Sequence, residues 1–270
     1  MQLYAVPWYN CNLSCPHCHV KNRKVEQNYN KFFNTLLQNS DNYFVTLFGG
    51  EPTLYYPKFE QIISNCSVDS VSTNLVALTP EDTQNLLAPL LYQHDVDVAT
   101  SWNDKRFKNE SQEKLWFNNV KILCKENVDV LVLITLTQSL LEGEIRDVLH
   151  KLDMMEGVGV SKFLFEPYIG SNECNKLADE WLCKFHDMYK GNMWNLLAHR
   201  MMTGYNCNCD DIFTLEPDGK IRRGCPDSLI TTPTFCDECM TCKRNMECRP
   251  CKLQKTCSFP KEYARRLGIK

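Results

Sequence analysis

Cysteines are the residues of this 270-residue chain whose number and spacing point most directly to chemistry, since there are 16 of them. Three lie within the stretch YNCNLSCPHCHV near the start of the chain: Cys11, Cys15 and Cys18. Nine more crowd its C-terminal part: Cys207, Cys209, Cys225, Cys236, Cys239, Cys242, Cys248, Cys251 and Cys257. Clustered thiolates bind zinc or iron–sulfur clusters, whereas disulfide frameworks are typical of small secreted domains. Because this chain is long and the sequence shows no secretory signal, we interpret both groups as metal ligands.

The first group has the spacing Cys-x3-Cys-x2-Cys, with His17 and His19 beside its last member. Three thiolates at this spacing can bind three irons of a cubane cluster and leave the fourth iron open to another ligand. A zinc site completed by a histidine, or a redox-active Cys-x2-Cys pair, fits the same residues. This stretch alone therefore leaves iron–sulfur, zinc and redox functions open.

A second motif, Gly49-Gly50-Glu51-Pro52, stands in the stretch TLFGGEPTL. It follows the second predicted strand (residues 43–48), just as the three cysteines follow the first (residues 3–9). Paired glycines allow the backbone to approach a ligand closely, although such a pair can also mark a simple turn. In parallel α/β folds, sites are built at the carboxyl ends of the strands. We therefore expect both motifs at that end of the sheet.

Apolar segments alternate with helix-like segments over the first three quarters of the chain. The predicted strands cover residues 3–9, 43–48, 70–73, 96–101, 128–136 and 162–166. Several of them lack polar alternation, which is typical of a parallel sheet buried on both faces. Helices are predicted between the strands, for example from the N-cap Thr79 to about Tyr92. Six such units are fewer than the eight of a closed barrel, so we expect an α/β fold with a partial (β/α)6 barrel.

The composition changes near Gly204, where short pieces rich in cysteine, aspartate, proline and glycine begin. We therefore predict two domains. A barrel would cover residues 1–200, with a last helix over about 175–198, and a small cysteine-rich domain would cover residues 204–270.

Charge and hydropathy exclude several classes of protein. The 30 basic and 33 acidic residues nearly balance and form no basic stripe, so we expect no strong nucleic-acid surface. No apolar stretch approaches the ~18–20 residues that a membrane span needs. We therefore expect a soluble, cytoplasmic protein.

Taken together, Cys-x3-Cys-x2-Cys after the first strand and Gly-Gly-Glu-Pro after the second resemble the radical S-adenosylmethionine (SAM) superfamily. The resemblance covers roughly residues 1–200. It implies that Cys11, Cys15 and Cys18 hold a [4Fe–4S] cluster whose open iron is chelated by SAM. The SAM-binding residues that it implies are Gly49, Gly50, Glu51, Pro52, His17, Asn74, Ser101 and Pro167. The implied reaction is reductive cleavage of SAM to a 5′-deoxyadenosyl radical, which takes a hydrogen atom from a substrate.

Beside such a core, the C-terminal cysteines resemble the SPASM extension, which carries two auxiliary [4Fe–4S] clusters. By this resemblance, Cys207, Cys209, Cys225 and Cys251 would hold one cluster, while Cys239, Cys242, Cys248 and Cys257 would hold the other. Cys236 is left over. The sequence departs from the family pattern, because five residues rather than four separate Gly219 from Cys225, and two rather than three separate Cys248 from Cys251. A single auxiliary cluster, or two zinc sites of four thiolates each, is the alternative.

Members of this family mostly modify peptides or proteins, so the resemblance implies a maturase-type oxidoreductase acting on a peptide or protein side chain. Asp227 stands close to where related maturases have a carboxylate that accepts the substrate proton, and a loop cap is its alternative role. A flavodoxin- or ferredoxin-type electron donor is the implied partner. Radical modification or isomerisation of a small molecule, nucleotide or modified base is the alternative function. A non-catalytic zinc-binding module is a more remote alternative.

Overall fold

A computed structural model of the chain describes residues 1–16, 18, 25–160, 162–167, 172–189 and 212–223. These residues form an α/β fold with one sheet of eight strands in the order β6-β5-β4-β3-β2-β1-β7-β8. The strands are β1 (Gln2–Ala5), β2 (Phe44–Leu47), β3 (Ser70–Ser72), β4 (Asp97–Trp102), β5 (Val130–Leu136), β6 (Lys162–Pro167), β7 (Ile212–Leu215) and β8 (Ile221–Arg223). All neighbouring strands are parallel except β7 and β8, which pair antiparallel. The predicted α/β class with a mostly parallel sheet is confirmed.

Helices connect the parallel strands. They are α1 (Tyr29–Asn39), α2 (Tyr56–Asn65), α3 (Pro80–Asp82), α4 (Ala88–Gln93), α5 (Glu110–Lys125), α6 (Gln138–Glu142), α7 (Ile145–Gly157) and α8 (Asn172–Met188). A π-helical segment, Thr83–Leu87, joins α3 to α4, and together they form the helix predicted after Thr79. That helix begins with a capping box, in which Thr79 and Asp82 each accept a backbone N–H of the other. None of the helices in the described part of the chain is both long and apolar enough to cross a membrane.

One face of the sheet packs against helices through large aromatic side chains. On α5, the indole Nε1 of the buried Trp116 donates to Thr100 Oγ1 on β4 at 2.9 Å. Farther along the same face, the Phe165 ring on β6 lies with its centroid 5.6 Å from that of Trp181 and 5.0 Å from that of Phe185 on α8. Burial of each such side chain contributes about 1.5–3 kcal/mol to folding, so this face holds the core together.

The opposite face, which we call the inner face, carries several hydroxyl side chains. Because side chains alternate along a strand, Ser101 lies on this face, and the strand register places Thr46, Ser70 and Ser72 there as well. Gln2 Nε2 donates to Thr46 Oγ1 at 2.9 Å, and the hydroxyls of Thr46 and Ser70 share a hydrogen bond of 2.8 Å. The part of the inner face formed by β1–β4 is therefore polar.

The hairpin of β7 and β8 was not predicted, and it lies beside β1. Val6 N donates to Leu215 O at 2.8 Å, and Asn28 N, just before α1, donates to Pro217 O at 2.9 Å in the hairpin turn. Residues 212–223 therefore share a sheet with the first strand. Residues 224–270 lie outside the described residues, so the division of the chain into two domains stays a prediction.

Candidate functional site

The cysteine loop leaves the sheet at the carboxyl end of β1, beside the loop that follows β2. β1 ends at Ala5 rather than at the predicted Tyr9. The backbone beyond it still contacts the second motif, because Gly50 N donates to Trp8 O at 3.1 Å and Glu51 N donates to Asn10 O at 2.8 Å. The structure thus places the two sequence motifs side by side.

Gly49 and Gly50 allow this close approach of two backbones. Gly49 has a φ of +130°, a conformation that other residues rarely adopt. A Cβ atom on Gly50 would lie 2.1 Å from the carbonyl oxygen of Asn10. The paired glycines are therefore required by contact with the start of the cysteine loop, whatever ligand they also meet.

Glu51 is fully buried, and its carboxylate is the centre of a hydrogen-bond network between the β2 and β3 loops. Oε1 accepts from Thr53 N at 3.0 Å, from Thr53 Oγ1 at 2.6 Å and from Thr73 Oγ1 at 2.6 Å. Oε2 accepts from Asn74 N at 2.6 Å, and the backbone carbonyl of Glu51 accepts from Trp8 Nε1 at 2.7 Å. A buried carboxylate needs such donors in place of its lost hydration. Glu51 therefore ties the end of β3 to the Gly-Gly turn.

Asn74 extends this network to the cysteine loop. Its Nδ2 lies 2.8 Å from Asn12 Oδ1 and 3.6 Å from Cys11 Sγ, and both contacts are within hydrogen-bonding range for these atoms. Three predicted site segments, from the loops after β1, β2 and β3, are thus joined by direct contacts.

The three N-terminal cysteines all lie on one loop and form no disulfide bond, with Cys11 exposed and Cys15 and Cys18 half-buried. Although Cys11 is exposed as a residue, its sulfur is crowded by its neighbours, and this desolvation raises the pKa of the Cys11 thiol. Hydrogen bonds from Leu13 N, at 3.3 Å, and from Asn74 oppose the rise. Within the described ranges, no three histidine, cysteine, aspartate or glutamate side chains converge at the spacing of a metal site.

The chemistry of these donors nevertheless fits the implied iron–sulfur cluster. Three thiols share one short loop, and N–H groups are directed at the sulfur of Cys11, as is typical of cluster ligands. Two other described cysteines, Cys66 and Cys124, lie outside this loop, and desolvation raises the pKa of each thiol to about 11. Cys66 follows α2 and Cys124 lies on α5, so neither can join the three cysteines of the loop without a change of fold.

Of the other predicted residues, Pro52 lies beside this network, Ser101 and Pro167 lie on β4 and β6, and the rest lie outside the described residues. Pro52 is buried and begins a 3-10 turn, Pro52–Tyr55, directly after Glu51. Ser101 lies on β4, and Pro167 ends β6 opposite Leu136. The predicted positions outside the described residues are His17, Asp227, Cys207, Cys209, Cys225, Cys236, Cys239, Cys242, Cys248, Cys251 and Cys257. Their assigned roles stay predictions.

One buried carboxylate near the site, that of Glu216, was not predicted from the sequence. Glu216 directly follows β7, is fully buried, and accepts a hydrogen bond from the Tyr9 hydroxyl at 2.7 Å. Tyr9 immediately precedes the cysteine loop, so this contact links the hairpin to it. An acid placed between an apolar strand and a Pro-Asp-Gly turn, as in IFTLEPDG, is the signal that could have indicated this residue.

Known proteins resemble this chain in three-dimensional structure rather than in sequence. No family model matches the chain, and no curated protein matches it significantly in sequence. A crystal structure of Streptococcus suis SuiB bound to S-adenosylmethionine has a TM-score of 0.60 and 13% identity, covering 94% of this chain and 69% of that one. Native anSMEcpe with bound AdoMet has a TM-score of 0.62 and 16% identity, covering 82% of this chain and 73% of that one. At these identities the likeness establishes a shared fold, and the fold is one found in two proteins whose structures contain bound SAM.

Proposed function

We propose that this chain is a radical SAM enzyme, which cleaves SAM reductively and uses the resulting radical to take a hydrogen atom from its substrate. Two observations support the proposal. The Cys-x3-Cys-x2-Cys and Gly-Gly-Glu-Pro motifs resemble those of that superfamily, and the fold is shared with two structures that contain SAM.

The observation that carries the proposal is the contact between motifs that are far apart in sequence. Cys11, Gly50 and Asn74 come from the loops after three different strands, and the buried Glu51 carboxylate holds the second and third loops together. In parallel α/β folds this edge of the sheet is where cofactors and substrates bind. If these residues served only to pack the loops together, there would be no reason for three exposed or half-buried thiols to lie beside the Glu51 hydrogen-bond network.

Cys11, Cys15 and Cys18 would hold the cluster at the SAM site. When bound, a [4Fe–4S] cluster supplies the electron for reductive cleavage of SAM to a 5′-deoxyadenosyl radical. The protein's own residues position the reactants. Glu51 fixes the β2 loop, hydroxyl side chains line the inner face of β1–β4, and the opposite face of the sheet is buried against the helices.

The finer assignments rest on the family resemblance. We propose a peptide or protein side chain as substrate, a flavodoxin- or ferredoxin-type electron donor, and two auxiliary [4Fe–4S] clusters held by the C-terminal cysteines. Asp227 is proposed as the group that accepts the substrate proton, and the protein is proposed to be a maturase-type oxidoreductase.

The test is the metal content and SAM chemistry of protein purified without oxygen. We expect about twelve irons per chain for three cubane clusters, or about eight for two, with a broad absorption band at about 400 nm. Reduction in the presence of SAM is expected to release 5′-deoxyadenosine. Zinc without iron would overturn the proposal.

A triple variant, Cys11→Ala, Cys15→Ala and Cys18→Ala, separates the SAM site from the C-terminal cysteines. It is expected to lose about four irons and all 5′-deoxyadenosine release while keeping the remaining iron. Cys124→Ala is the matched control, because this thiol is half-buried on α5 and lies outside the site. Equal losses in both proteins would contradict the assignment of the N-terminal cysteines.

A further inference from the structure

We propose that Asn74 is a positioning residue for the cluster ligand Cys11, whose sulfur it holds by an N–H···S hydrogen bond that raises the reduction potential of the bound cluster. The inference rests on the proposed function, and it gives Asn74 a role different from the SAM contact implied by sequence resemblance. Asn74 is almost fully buried, with 4% of its surface exposed.

The orientation of the Asn74 amide follows from its other contacts. Its Oδ1 accepts from Val76 N at 2.8 Å, and its backbone N donates to Glu51 Oε2 at 2.6 Å. Since a backbone N–H can only donate, the atom facing Val76 must be the oxygen. The NH2 group therefore points to the cysteine loop, where Cys11 Sγ lies 3.6 Å away.

A second pair of contacts makes this arrangement a clamp between two loops. Asn74 Nδ2 donates to Asn12 Oδ1 at 2.8 Å, and Asn12 Nδ2 donates to Val76 O at 2.9 Å. The residue next to Cys11 is thus held from both sides by the segment after β3. Displacement of Cys11 relative to this segment would break at least one of these hydrogen bonds.

The same contacts place N–H donors at the sulfur. Leu13 N, at 3.3 Å, is a second N–H donor to Cys11 Sγ. Reduction of a cluster adds negative charge that its thiolate ligands share, and N–H donors stabilise that charge more in the reduced state. Removal of one donor is therefore expected to make the cluster harder to reduce.

Two substitutions of Asn74 distinguish the effect of losing the hydrogen-bond donor from the effect of changing the shape of the side chain. Asn74→Asp keeps the size and the acceptor for Val76 N, but it replaces the NH2 group facing Cys11 by a carboxylate oxygen. Asn74→Leu removes the donor without adding charge. Asn65→Ala is the control, because Asn65 is an exposed asparagine at the end of α2 whose amide donates to Gln61 O.

The decisive readout is the midpoint potential of the SAM-site cluster, measured by redox titration with EPR detection in the SAM-free holoenzyme. Asn74→Leu is expected to lower the equilibrium constant for one-electron reduction about tenfold, which is about 59 mV. Asn74→Asp is expected to lower it further, and Asn65→Ala to leave it unchanged. Variants that bind iron fully but keep the wild-type potential would overturn the inference.

A second readout covers variants that fail to retain iron. In the metal-free chain, loss of the clamp is expected to speed amide hydrogen exchange in peptides covering residues 9–16, and Asn65→Ala is not expected to do so. Unchanged exchange in variants that bind no iron would overturn the inference. A wild-type protein without iron would overturn the proposed function and this inference with it, whereas iron with an unshifted potential overturns the inference alone.

Discussion

Two regions of the sheet are stabilised in different ways. The site region, formed by the loops after β1, β2 and β3, is held by hydrogen bonds that converge on the Glu51 carboxylate and Asn74. The packing region, formed by β5, β6 and α8, is held by apolar contacts in which Phe165, Trp181 and Phe185 stack or meet edge to face.

The two regions differ in how strictly their interactions fix the relative positions of loops and side chains. Apolar packing is non-directional, so a core of about the right volume keeps the fold while individual contacts shift. Hydrogen bonds to a buried carboxylate depend on distance and angle, so the loops of the site region have one favourable arrangement. We therefore expect substitutions in the site region to affect both stability and iron binding, and those in the packing region to affect stability alone.

Glu51→Ala is expected to have the largest effect, because it should reduce stability and iron binding together. It leaves the donors of Thr53, Thr73 and Asn74 without their acceptor, each at a cost of about 1–3 kcal/mol. The free energy of unfolding should fall by about 3–5 kcal/mol in urea titrations of the metal-free chain, and reconstituted iron should fall with it. The control Glu60→Ala, an exposed glutamate on α2, should change stability by less than about 0.5 kcal/mol. Normal iron content in a folded Glu51→Ala protein would remove the distinction between the regions.

Phe185→Ala is expected to reduce stability without changing the site. Phe185 is fully buried between Phe165 and Trp181, so truncation leaves a cavity and costs about 3–5 kcal/mol. Leu177→Ala on the same helix is the control, because that side chain is 40% exposed. Iron per folded chain should equal that of the wild type at a temperature where both are folded. A selective loss of iron in Phe185→Ala would show that the packing region also specifies the site.

Gly50→Ala is expected to have the smallest effect of the three on stability, about 1–3 kcal/mol, because the added Cβ meets the Asn10 carbonyl and forces the two loops apart. Gly157→Ala is the matched control, since a Cβ there meets nothing within 4 Å at the end of α7. Alanine also favours helix by about 1 kcal/mol over glycine, so this control should be neutral or stabilising. Equal stabilities of the two variants in thermal unfolding would contradict the close approach of the loops.

Much of the site region could be predicted because its motifs follow strands directly. Parallel strands bring their carboxyl ends to one edge, so the sequence alone predicts Gly49-Gly50-Glu51 and the cysteines at the same end of the sheet. The role of the Glu51 side chain could not be predicted, because its partners Thr73 and Asn74 are more than twenty residues away. The Tyr9–Glu216 contact is still more distant in sequence, spanning 207 residues.

The sequence alone determined the α/β class, the parallel strands β1–β6 and the order of the motifs along them. These features could be predicted because hydrophobic periodicity, and the motif that follows each strand, are visible within short stretches of sequence. The capping box at Thr79 was equally local. Only the tertiary structure decided that residues 212–223 return to pair with β1, and that the buried Glu51 carboxylate and the Asn74 amide join the three loops. Those features depend on which segments meet in space, and hydrogen bonds between distant segments leave no periodic signal in the sequence.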